Sequence, residues 1–163
     1  LTTVGCGLDV IDVTLSATTT VEKGTLIESL VGDLGFDGLL AFDIVQSAAF
    51  KNQGVKRSQI DSLTLRELTL TIPDAAAGQD FTFMDEVQFF AEAEGLPKVR
   101  VARGGPFEAG VTSVAMETDL PDLADYAAAE TMSITTEVTG RRPDTDTTIK
   151  ADVTLEVDVN LCL

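Results

Sequence analysis

The side chains of this sequence best placed to do chemistry are two cysteines near its opposite ends, Cys6 and Cys162, and a large surplus of carboxylates. Histidine is absent from all 163 residues. The commonest general base and metal ligand is thus missing, so Ser-His-Asp and Cys-His sites cannot be built within this chain. Two distant sulfurs and no imidazole likewise make neither a CxxC redox pair nor a typical tetrahedral zinc site. Carboxylates alone leave two chemistries: glycoside hydrolysis by a facing pair, and calcium binding by converging oxygens. Sugar sites usually add aromatic platforms, whereas this chain has no Trp and a single Tyr, Tyr126. No catalytic motif stands in the sequence. The chain is expected not to be an enzyme, and calcium is the one cofactor candidate.

For calcium, the candidates are Asp33 and Asp37 in the glycine-rich stretch 32–38, and Asp144 and Asp146 in a turn before the last strand. Asp119, Asp122 and Asp125 crowd one short helix. None of these matches an EF-hand loop, with its dense ligands and terminal Glu. Turn formation and helix capping are the favoured uses of all of them. Lys98, Arg100 and Arg103 form a small basic island, for which pairing with nearby carboxylates is the simpler reading.

Two readings compete for the cysteines. Gly5 directly before Cys6 fits the end of a bacterial lipoprotein signal peptide, where a small residue precedes the cysteine that becomes lipidated. Leu is usual three residues before that cysteine, and Thr3 stands there instead. On this reading residues 1–7 are a signal-peptide remnant or anchor segment, and 8–163 form one domain. The alternative is a disulfide between Cys6 and Cys162, which requires an oxidising compartment. Both readings place the chain outside the cytoplasm, in a periplasm or on a cell surface. They exclude each other, because an acylated thioether has no thiol left to oxidise.

The charge balance narrows the partners. Twenty-seven acidic against 11 basic side chains give a formal net charge of −16. Nucleic acid is excluded as a partner, since binding it needs clustered Lys and Arg. Anionic lipid headgroups are disfavoured too, so any membrane attachment is expected only through an anchor at Cys6. A protein partner or self-association remains.

Strands must position these groups. From Ile149 to Leu161 every odd position is apolar and the intervening positions are polar, the pattern of a long antiparallel strand with one wet face. Ile11 to Val21 reads the same way. If the two strands are neighbours, Cys6 lies beside Cys162. In the middle, Leu63 and Leu65 are followed by Leu68, Leu70 and Ile72, a parity shift across Arg66-Glu67 that predicts a β-bulge. Further strands are expected at 39–45, 87–93, 99–101, 111–117 and 132–138, with Gly95-Leu96-Pro97 as a hairpin turn. Short helical turns are expected over 25–31, over 47–52 closed by Gly54, after a cap at Ser58, and after Pro121. The eight Phe residues are assigned mainly to the core. Phe89 and Phe90 must face opposite sides of one strand. About eight strands with two or three short helices predict an all-β antiparallel sandwich, Greek-key or immunoglobulin-like.

The stretch from Phe50-Lys51-Asn52-Gln53-Gly54-Val55 to Leu70, with Phe81-Thr82-Phe83 and Gly95-Leu96-Pro97-Lys98-Val99-Arg100-Val101-Ala102, resembles uncharacterised bacterial β-sandwich lipoproteins. The resemblance implies the sandwich and the anchor, and carries no activity or site residue. Three functions are consistent with the sequence: an exported, non-catalytic interaction or structural module, anchored at Cys6; a subunit of an extracellular assembly joined by strand pairing; and a carboxylate-based sugar-active or calcium-binding protein.

Overall fold

The structure is a computed structural model, described here for residues 7–25 and 29–162. It is a sandwich of two antiparallel sheets. One sheet contains β1 (Leu8–Val21), β9 (Thr147–Asn160), β3 (Ile60–Thr71) and β6 (Ser113–Ala115), in that order. The other contains β2 (Ser29–Gly32), β8 (Ser133–Arg141), β4 (Met84–Glu92), β5 (Val99–Gly104) and β7 (Glu117–Thr118).

Alternation built the first sheet as expected. Ile149, Ala151, Val153, Leu155, Val157 and Val159 are buried along β9, and Ile11, Val13, Ala17 and Val21 along β1. Leu161 ends the apolar series in the sequence but lies past the strand and is exposed. The first and last strands are direct neighbours, paired without interruption from Leu8↔Asn160 to Val21↔Thr147. β3 lies on the other side of β9, and its register slips between Leu65 and Glu67, the bulge that the apolar parity foretold.

Several expectations fail between these long strands. Residues 29–32 pair as β2 with β8 instead of forming a helical turn, and residues 26–28 lie outside the described residues. Residues 39–45 form no strand. They contain the end of one 3-10 turn (Asp37–Leu39), the start of another (Ile44–Gln46) and a single bridge from Phe42 to Met132. The longer stretch 34–45 begins along the outer edge of β1: a Cβ on Gly38 would sit 3.0 Å from the Cβ of Ala17, and Thr19 donates to the Leu34 carbonyl at 2.6 Å. Its apolar residues Leu34, Phe36, Leu39 and Ile44 fill the open side of the sandwich, which gives them a strand-like pattern without a ladder.

The opposite side is closed by one crossing segment. The strand expected over 111–117 divides at buried Met116, with β6 on β3 and β7 on β5. Met116 N–H donates to Leu68 O at 2.8 Å and Asp119 N–H to Val101 O at 2.9 Å, so the segment bonds to both sheets in turn.

The short helices are α1 (Ala48–Gln53) and α2 (Ala124–Ala128). Ser47 caps α1, and Gly54 ends it at φ 64°. Ser58 is not a cap; it lies inside a 3-10 turn (Arg57–Gln59) whose start is fastened by Lys56 N–H to Gln59 Oε1 at 2.8 Å. Arg57 reaches from that turn to the end of α2, donating to Ala127 O at 2.8 Å and Ala129 O at 2.7 Å, and also to Asp43 at 2.7 Å. One planar guanidinium thus holds three segments with geometry that lysine cannot copy. Arg57→Lys is expected to lower stability in urea by about 1–2 kcal/mol and Arg57→Ala by about 1.5–3 kcal/mol.

Five phenylalanines, Phe36, Phe50, Phe81, Phe83 and Phe89, are buried. Phe42, Phe90 and Phe107 are half-buried, Phe42 and Phe107 against the core. Phe90 faces outward on β4, as the Phe89-Phe90 pair required, and the Lys98 ammonium covers its ring at 4.6 Å.

Candidate functional site

The two long strands converge at the cysteine corner. Leu161 N–H donates to Gly7 O at 3.3 Å, one step beyond the Leu8↔Asn160 pair, and Cys162 N–H donates to Asn160 Oδ1 at 2.9 Å. Cys162 is disulfide-bonded. Cys6 and the anchor segment, apart from Gly7, lie outside the described residues. Leu8, Val10 and Leu161 leave apolar surface exposed around this corner, 67%, 55% and 49% respectively.

Of the four calcium candidates, Asp33 and Asp146 hold backbone and hydroxyl groups of the fold. Asp33 Oδ1 accepts from Gly35 N–H at 2.9 Å and from the Thr136 hydroxyl at 2.7 Å, tying its loop to β8. Asp146 accepts from Lys23 N–H at 2.9 Å, while Asp37 opens a 3-10 turn and Asp144 lines a cleft. Asp122 Oδ1 accepts from both Ala124 N–H at 3.0 Å and Leu63 N–H at 3.1 Å. Among the described residues, no three carboxylate or cysteine side chains come together as a metal-holding group.

The basic island is paired locally. Lys98 meets Glu137 at 2.8 Å, Arg100 meets Asp119 at 2.7 Å, and Arg103 lies 3.6 Å from Glu117. Hydrogen bonds to those partners raise the pKa of Lys98 and of Arg100. On the outer face of the other sheet, Asp12 stands directly opposite Glu156, a like-charge pair. Arg66, the bulged residue of β3, bonds Glu156 at 2.6 Å. That bond raises its own pKa, and Asp158 and Asp12 add to the effect.

Asp80 joins two loops. It accepts from the Thr82 hydroxyl and amide and, at 2.9 Å, from Gly110 N–H. The Thr82 hydroxyl first, and Gly110 N–H second, hold its carboxyl below the ordinary value. A depressed folded-state pKa contributes stability above the unfolded value, near 4, which is lost as pH falls through the folded value. Between about pH 5 and pH 2.5, Asp80→Asn is therefore expected to lose less melting temperature than the parent protein, as read by circular dichroism.

Two concavities stand out among the described residues. A cleft of about 260 Å³ lies between the 77–83 connection and the 141–147 turn. Arg141 and Arg142 there are balanced by Asp80 and Asp144. A larger groove of about 550 Å³ opens where β5 leaves its sheet and the crossing segment returns. Half-buried Phe107, Val111, Val114 and Gly104 form its floor, and exposed Glu86, Glu108, Glu117 and Arg103 its rim. The floor is fixed from below, since Phe107 packs on buried Phe81 with ring centroids 5.7 Å apart.

The groove was invisible in the sequence as a unit, because its residues come from β4, β5, β6, β7 and the loop after β5. Its one available signal was the outward parity of Glu86 with Gln88 and Phe90 along β4. No protein-family model, curated protein or solved structure matches this chain.

Proposed function

We propose that this chain is an exported, non-catalytic β-sandwich that works as an interaction or structural module outside the cytoplasm. The observation that carries this reading is the disulfide on Cys162 at the end of the strand pair that joins the chain's two ends. The sequence has one other cysteine, Cys6, which precedes Leu8 by two residues as Cys162 follows Asn160 by two, and Leu8 pairs with Asn160, so Cys6 is the partner we assign. A chain of this size buries a sufficient core without a covalent staple, so the bond points to an oxidising compartment. The high negative charge fits an exposed, soluble role, because self-repulsion opposes aggregation.

Compartment can be tested in the producing cell. Membrane-impermeant amine labelling of intact and osmotically shocked cells is expected to modify the chain at exposed Lys51 and Lys56. Labelling only after rupture of the cytoplasmic membrane would overturn the reading.

Assembly by strand pairing is favoured by one feature: β1 is an edge strand carrying exposed Leu8 and Val10. The 34–39 stretch and α1 packed along β1 protect part of that edge. The interaction-module reading therefore stands first.

A further inference from the structure

We propose that the groove between β5 and the crossing segment receives a basic side chain, Lys or Arg, presented by a partner protein. The inference rests on the interaction-module reading and gives the partner a chemistry. Three glutamates, Glu86, Glu108 and Glu117, stand on the rim against one arginine, Arg103, so the opening is net negative. The floor beneath is apolar, formed by Phe107, Val111 and Val114. A long basic side chain matches both parts, with its alkyl stem on the floor, its charge among the carboxylates and the Phe107 ring available to the cation.

The chain supplies its own precedent. Arg103 extends along the rim and brings its guanidinium to 3.6 Å from Glu117, a loose contact that a better-placed cation would outcompete. The smaller cleft lacks this bias, because its two arginines face two aspartates. On the flat outer faces, several carboxylates already have a basic partner, as Glu156 has Arg66 and Glu137 has Lys98. Of the two concavities described, the groove is the one that combines an apolar floor with surplus negative charge.

The test is an NMR titration of the full chain with the acetylated, amidated peptide Lys-Val-Lys-Val, with Glu-Val-Glu-Val as control. Shifts are expected at the amides of Gly104, Gly105, Phe107, Glu108, Val114 and Glu117 with the basic peptide only. Glu108→Gln and Glu117→Gln should each weaken binding about two- to fivefold, the effect of one exposed ion pair. Arg103→Ala should tighten it by a similar factor, by removing the internal competitor. These residues are exposed, so folded variants are expected, and the dispersion of the same spectra reports it. Shifts spread over Asp12, Glu156 and the other acidic faces, unmoved by the rim substitutions, would show attraction to net charge alone and overturn the proposal. So would no shift at millimolar peptide. Either failure leaves the compartment reading standing, because labelling in cells measures that separately.

Discussion

With Cys6 as its proposed partner, Cys162→Ser is expected to lower the free energy of unfolding by about 3–5 kcal/mol, the range for a staple that closes a loop this long. The bond sits where two fourteen-residue strands already pair without a break, so it adds little to the native contacts. Its effect falls on the unfolded chain, whose ends it keeps together. Two signatures follow. The urea m-value should rise in the variant, because its unfolded state exposes more surface. Hydrogen exchange should accelerate first at Leu8 to Asp12, the strand end that the staple fastens. Dithiothreitol on the parent protein should reproduce both, whereas a stability change below about 0.5 kcal/mol would show that the bond does not restrain the ends.

Gly140→Ala carries the second large effect, an expected loss of about 2–4 kcal/mol in chemical denaturation. A Cβ at Gly140 would lie 2.4 Å from Phe83 O and 2.8 Å from Met84 Cα, backbone atoms with nowhere to move. On the other flank of β4, a Cβ at Gly105 would lie 2.4 Å from Asp85 O, at a φ of 114° open essentially to glycine alone. The two glycines grip β4 where its register with β8 slips between Met84 and Glu86. Close backbone approach is thus what this bulge requires of its neighbours. Gly78→Ala is the control: φ there is 83°, but a Cβ would meet open space. Its cost should be only the conformational one, about 1–2 kcal/mol. Equal losses at Gly78 and Gly140 would show that backbone crowding is not the cause.

Legibility in the sequence followed the ladder. β1, β9 and the bulge at Arg66 could be read because a half-buried strand must alternate and a bulge must shift parity. The antiparallel sandwich follows from many such strands, and it is the fold observed. Where apolar residues are buried without a ladder, the same signal misled. Leu39 to Val45 carries a strand's composition but fills the open side of the sandwich from 3-10 turns. β2 is only four residues long and no residue of it is fully buried, so its pairing with β8 is set by the strand it meets. The 111–117 stretch reads as one strand because its pattern does not register the change of sheet at Met116. Single-residue ties such as Arg57 to α2 are tertiary, with no local pattern to announce them. For the groove, the sequence held every residue and none of the distances.

The central claim is an exported sandwich whose last strand is covalently fastened to its first. Peptide mapping of the protein purified from its native cells, alkylated before digestion and kept without reductant, tests it directly. The account predicts one cross-linked pair containing Cys6 and Cys162, separating into two peptides on reduction, with no alkylated thiol at either position. Diacylglycerol on Cys6, or iodoacetamide adducts on both cysteines in the unreduced protein, would contradict it.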